Sequence, residues 1–251
     1  MAEDRFQDLR MRRRSRTFED NSDEDVFRQI ASEHGLQSDL DITGPQHRTL
    51  AQVNQSDLAF LRDRARAIDA ETWIEESTLH AVARARRETD TVTLSYGQSL
   101  HEFSVCADLA QQQTTFTASG WDVDAKETLQ HDASDSILGS ELNGDLSGSA
   151  ILQQAVGTRT QTIVHQTPAT AEETRFYAEA HFREHARQFV TGTAKCEGNP
   201  NIRVGTKLTL NGLGDLFNGN YYVNEAIHTY DLRQGYATMF RVERCGIGQS
   251  S

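Results

Sequence analysis

The spacing of apolar positions changes along this chain, and each change predicts an element. Val26, Phe27, Ile30 and Ala31 fall on one helical stripe. Ser22 is a good N-cap for it, with Asp25 three residues on as the capping-box acid. Acids in the first turn suit the helix dipole, and Gly35 stands where a left-handed C-cap belongs. The pattern predicts a helix from Asp23 to His34. A second helix starts after Ser56, with Leu58, Leu61, Ala65 and Ile68 at helical spacing. Trp73 and Ile74 then open a strand, with Leu79 to Val82 as its hairpin partner. From Thr91 the period falls to two, with Val92 and Leu94, and later Phe103 and Val105, alternating with polar residues. Thr114 to Trp121 is rich in strand formers and bends at Gly120. Thr128 to Pro168 is rich in Ser, Gly, Gln, Asp and Thr, which predicts a long, mobile excursion with weak structure. Thr170 to Gln188 reads as a helix with Phe176, Tyr177, Ala180 and Phe189 inward. Strands follow near Val190–Cys196, Lys207–Leu210, Tyr221–Tyr230 and Tyr236–Val242, punctuated by Gly205, Gly212, Gly214, Gly219 and Gly235. Short antiparallel strands at this spacing suggest a small barrel or sandwich. The fold class is α+β.

Composition narrows the picture. The 251 residues suffice for one large domain or two small ones. Apolar content is 37%, below the usual ~45–50%, and mean hydropathy is -0.62. The core is modest, and partners are expected to supply part of the stability. A net charge of -12 disfavours nucleic acid and anionic membranes, because phosphate contacts need clustered Lys and Arg. No apolar run reaches the ~18 residues of a membrane span. The N-terminal MAEDRFQDLRMRRRSR has no apolar stretch after its charges, unlike a secretory signal. Cys106, Cys196 and Cys245 are far apart and odd in number, which argues against a disulfide framework or a cysteine zinc site and fits a reducing cytoplasm at synthesis. Arg10, Arg12, Arg13, Arg14 and Arg16 precede Glu19, Asp20, Asp23, Glu24 and Asp25. The block reads as a solvated basic strand end beside an acidic helix start, since the adjacent acids would repel phosphate.

Candidate chemistry is sparse. His181-Phe182-Arg183-Glu184-His185 matches the inverted zinc-protease pattern H-x-x-E-H. On a helix both histidines share one face. A catalytic zinc needs a third protein ligand, and Glu225 and Glu243 downstream lie in no recognisable motif. The many Arg and Glu residues of this segment suit a solvated face. Gly212-Leu213-Gly214 runs on to Gly219 at the wrong spacing for a nucleotide loop and reads as a hairpin loop. Glu75 and Glu76 adjoin on a strand and so point to opposite faces, unlike an acid–base pair. Trp73 and Trp121 read as core anchors, with Trp121 and Phe116 expected inside a barrel. No G-x-S-x-G elbow occurs. No residue is therefore assigned a catalytic, cofactor-binding or metal-ligating role, and no cofactor is expected.

Four stretches carry a resemblance: SDEDVFRQIASEHGL, NQSDLAFLRDRARAIDAETW, SGWD at Ser119–Asp122, and FVTGTAKCEGNPNIRVGTKLTLNGLGDLFNGNYYVNEAIHTYD. In this order they resemble the bacteriophage late control protein D family, from about Thr17 to Arg244. That family includes the baseplate hub of contractile tails and the hub-like part of type VI secretion spike proteins. The resemblance implies a small antiparallel β-barrel tube domain with an associated helix-and-strand domain. It divides the chain into 1–18, the remnant of a first barrel; 19–90, an α/β domain; 91–127 and 189–246, the second barrel; and 128–188, an insertion and helix. It implies a non-enzymatic hub that adapts a tail tube to a spike, with zinc-dependent hydrolysis through H-x-x-E-H as the alternative. The implied partners are two further copies in a trimer, the tail tube protein and a spike protein, without nucleic acid or membrane insertion. The implied location is cytoplasmic at assembly, then a virion tail or injection particle. Set against that family, the chain is expected to start near where the first barrel ends and to carry no spike β-helix or OB-fold behind Ser251. A spike would then be a separate polypeptide.

Overall fold

The computed structural model describes residues 5–164, 166–233 and 235–249. The elements run α1 (Phe6–Arg10), β1 (Arg13–Ser22), α2 (Asp23–Glu33), β2 (Gln37–Asp41), β3 (Gln46–Ser56), α3 (Asp57–Ala67), β4 (Ala70–Glu75) and β5 (Thr78–Ala83). After them come β6 (Thr91–Ser95), β7 (Leu100–Ala107), β8 (Thr115–Asp122), β9 (Glu127–Ala133), β10 (Leu146–Ser147), α4 (Gly148–Val156), β11 (Thr160–Ile163) and α5 (Ala171–Arg187). The chain closes with β12 (Val190–Glu197), β13 (Lys207–Asn211), β14 (Gly219–Asp231), β15 (Gly235–Arg244) and β16 (Gly246–Ile247). The class is α+β, as the patterning implies. Two units form, one from residues 1–87, 117–132 and 162–181, the other from 88–116, 133–161 and 182–251.

In the first unit, α2 starts where its cap dictates. Ser22 Oγ accepts from the Asp25 amide, and the Asp25 carboxylate accepts from the Ser22 amide, so both halves of the capping box are made. Ser56 caps α3 through the Ala59 amide. Phe27, Ile30 and Leu61 from these helices meet Phe18, Leu50 and Leu79 from the strands in one core. β1 pairs antiparallel with β3, and β5 lies between β2 and β4. The arginine block is solvated only in part: Arg10, Arg12 and Arg13 are exposed, whereas Arg14 and Arg16 are half-buried. Arg16 reaches Asp57 at 2.8 Å and Glu33 at 2.7 Å, and Arg14 reaches Glu33 at 2.8 Å, so these charges are spent inside the unit.

The second unit is built on a six-stranded sheet in the order β6-β13-β14-β15-β12-β7. Its two edge strands are joined by residues 96–99 alone. A flat sheet of this order would set them about 24 Å apart, at ~4.8 Å per strand. The link spans at most about 18 Å. The sheet must therefore curl until its edges approach, and Tyr96 and Leu100 do form a bridge there. The concave face holds Leu94, Leu100, Ala194, Leu208, Leu210, Tyr221, Val223, Phe240 and Val242. Alternation along β12 and β13 puts every second residue into this core.

Two expectations fail. Thr128–Pro168 is not weakly structured: it holds β10, α4, β11 and most of β9. Buried arginines anchor it. Arg187 grips Glu141 bidentately at 2.7 and 2.8 Å, and Arg244 reaches Asp145 at 2.7 Å. Ser147 caps α4. His165 of this stretch lies outside the described residues. Nor does β8 join the six-stranded sheet; it pairs between β9 and β11. Phe116 is buried, but edge-on to Phe182 of α5 with ring centroids 6.2 Å apart. Trp121 is 53% exposed. Strand parity explains this: Phe116 and Ala118 face inward, and the next inward place falls to Gly120. A side chain at Gly120 would meet the Pro168 carbonyl at 2.0 Å, so the chain packs directly on its backbone. We therefore expect Trp121→Ala to change unfolding free energy by no more than about 0.5 kcal/mol, read from denaturant midpoints at constant m-value. A loss of about 3 kcal/mol would restore the core-anchor reading.

Candidate functional site

The long β14–β15 hairpin carries several exposed large hydrophobic residues. β13 pairs with β14 only from Leu210↔Gly219 to Lys207↔Tyr222. A further pair of bonds, Gly205 N–H to Val223 O and Val223 N–H to Thr206 O, ends that neighbour's reach. β14 and β15 continue to pair as far as Asp231↔Gly235. From Asn224 to Asp231 one backbone edge of β14 therefore has no strand beside it among the described residues. Apolar side chains line this arm. Ile227 and Met239 are cross-strand partners, both exposed, on the face opposite the core. Tyr230 is 73% exposed and Leu232 94%. Soluble sheets normally blunt such an edge with charge or Pro. Here the charges along it are the partly exposed Glu225–Arg241 pair at 3.2 Å and the exposed Asp231.

A buried charge network occupies the first unit. Asp23, at the start of α2, accepts from Arg64 Nε at 2.6 Å and Arg64 Nη2 at 3.1 Å. His47 of β3 sits between Asp23, 3.1 Å from Nε2, and Glu173 of α5, which meets Nδ1. Arg64 Nη1 donates to Tyr177 Oη at 3.3 Å. Glu173 also accepts from the Ala169 amide at 2.6 Å. Burial alone would raise the Asp23 and Glu173 carboxyls, but hydrogen bonds from His47 and from Arg64 or the backbone outweigh it and hold both below their ordinary values. Burial would likewise lower His47, yet bonds to the two carboxylates raise it. Gly44 leaves room for the network: a Cβ there would stand 2.7 Å from Asp23 Oδ2. These charges are spent on one another, so the cluster ties four elements together rather than presenting a reactive group.

The H-x-x-E-H residues lie on one turn of α5. The ligand atoms of His181, Glu184 and His185 all lie within 4.8 Å of one another. Among the described residues no further His, Cys, Asp or Glu joins them. Glu225 pairs with Arg241 and Glu243 accepts from Asn224, so neither completes a hydrolytic zinc. Gly212 and Gly214 take positive φ in the β13–β14 loop, as a hairpin loop requires. Trp73 stacks on His80 and carries the Arg87 guanidinium at 4.3 Å. The three thiols are free, and burial pushes Cys196 up to about 11 and Cys245 up to about 12. The network and the open edge escape sequence reasoning, since one joins distant residues and the other depends on which strand stops first.

Solved structures share this fold. The 43 kDa tail protein of prophage MuSo2 from Shewanella oneidensis aligns with a TM-score of 0.65 at 14% identity, over 91% of this chain and 66% of that one. A tail protein from Neisseria meningitidis MC58 gives 0.67 at 12%, over 96% and 72%. The E. coli c3393 protein, described as a component of the type VI secretion system, gives 0.60 at 9%, over 98% and 56%. The chain thus spans roughly half to three quarters of the length of these proteins. No curated protein matches it. The model of the Alg8 N-terminal domain matches residues 1–231, and the chain belongs to the Alg8 N-terminal domain family.

Proposed function

We propose that this chain is a structural subunit of a contractile phage tail or related injection machine, placed at the hub where the tail tube meets the spike. The observation that carries this is the tail-protein fold, shared along 96% of the chain with one such protein. The late control protein D resemblance supports the narrower hub assignment. The curled sheet supplies a barrel-like wall with a filled interior, as a tube subunit needs. The β14 edge and its apolar side chains supply a contact for a neighbour. The partners are further copies in a trimer, the tube protein and a spike protein. Assembly begins in the cytoplasm and ends in the particle.

Self-association has to overcome a charge of -12, which salt screens. Sedimentation velocity should therefore show association rising with protein concentration and with ionic strength, and further with tube or spike protein added. Ile227→Lys, on the exposed arm, should abolish that association while leaving the monomer folded. A wild-type chain that stays monomeric throughout and binds neither partner would end the hub reading.

A further inference from the structure

We propose that one turn of α5 binds a divalent transition-metal ion through His181, Glu184 and His185. The inference goes beyond the tail reading, which needs no metal. Residues at i, i+3 and i+4 share one helix face, and here their ligand atoms lie within 4.8 Å. Donors around a tetrahedral zinc stand about 3.3 Å apart, given metal–ligand lengths of about 2.0–2.1 Å. Side-chain shifts of about 1–2 Å close that gap without moving backbone.

The turn itself is held. Phe182, between the ligand positions, and Ala186, just past them, are buried. Phe182 meets Phe116 edge-on, and Phe116 lies 4.6 Å from the His185 ring. Gln112 Nε2 donates to the His185 carbonyl at 2.7 Å. His185 is thus fixed by a ring contact on one side and a backbone bond on the other, which lowers the ordering cost of ligation. Arg187, three residues past Glu184, has its guanidinium taken up by Glu141. Two imidazoles and a carboxylate suit zinc, cobalt or nickel, whereas calcium and magnesium call for oxygen donors. Glu184 is exposed and the histidines half-buried, so a fourth position stays open to water or to a partner's side chain. One helix turn supplies all three ligands and no separate base. The proposal is therefore binding, with no reaction attached.

The test is zinc titration of the untagged full chain by calorimetry, with cobalt absorption reporting geometry. One equivalent of zinc should bind and raise the melting temperature. His181→Asn and His185→Asn should each weaken binding at least about tenfold, and Glu184→Gln several-fold. Glu184 is exposed, so Glu184→Gln keeps the test alive if a histidine variant fails to fold. A tetrahedral cobalt spectrum supports the site. No heat beyond dilution, zinc affinity unchanged in Glu184→Gln and the histidine variants, or displacement of zinc by equimolar calcium would each overturn the proposal.

Discussion

Replacing Asp23 with Ala is expected to lower the unfolding free energy by about 3–5 kcal/mol. The carboxylate is fully buried and faces both Arg64 and His47. Removing it strands an arginine with a half-satisfied guanidinium in the core of the first unit, beside a histidine that has lost one of its two acids. Such a loss is the costly half of a buried pair, because the remaining charge keeps its desolvation penalty without its partner. The exposed Arg28–Glu24 pair on α2 is the matched control: Arg28→Ala should cost no more than about 1 kcal/mol. Urea denaturation of both variants decides the point, and equal losses would mean that the network contributes nothing beyond surface pairing.

The same cluster sets a pH window. Asp23 and Glu173 are lowered from ordinary values of 3.8 and 4.5. Their contribution is present above those values and is lost as pH falls through the folded ones. His47 is raised from 6.5, so its contribution is full below 6.5 and is lost as pH rises through its folded value. Arg64 Nη2, 2.9 Å from His47 Nε2, is a donor that opposes the imidazolium and eases that loss. The stability difference between wild type and His47→Gln should therefore peak between pH 4.5 and 6.5 and shrink on both sides. A flat difference curve would show that His47 does not carry the coupling.

Local signals were legible in the sequence, and distant ones were not. The starts of α2 and α3 follow from Ser22 and Ser56, because a cap and the stripe behind it lie within a few residues. The strands β12 to β15 follow from alternation and from the glycines between them. The excursion misled because its polar composition is spent on Arg187 and Arg244, partners 46 and 99 residues away. Trp121 misled because residue type suggested burial while parity within β8 dictated exposure. The H-x-x-E-H turn was visible as a pattern, but the fixing of His185 by Phe116 and Gln112 was not. His47 and Glu173 lie 126 residues apart, so no spacing rule could pair them. The unpaired edge of β14 needed the knowledge that β13 starts only at Lys207, opposite Tyr222.

Leu208→Ala is expected to cost about 2–5 kcal/mol, while Thr209→Ala, one residue on, should cost no more than about 1 kcal/mol. Leu208 is wholly buried on the inner face of the curled sheet, in register with Val92 on one side and Tyr221 on the other. Its truncation opens a cavity between three strands that cannot all move inward, because β6 is tethered to β7 by four residues. Thr209 points outward, where its hydroxyl donates to Asn220 Oδ1 at 3.0 Å, an exposed bond that water replaces. The contrast tests whether alternation along β13 makes the inside and outside that the proposed tube wall needs. If β13 were an ordinary edge strand free to slip by one residue, every side chain would change face and the two variants would cost alike. Denaturant midpoints read by near-ultraviolet circular dichroism separate the outcomes. Comparable losses for the two substitutions would show that the alternation along β13 does not define an inside and an outside, and the barrel-wall role would fall with it.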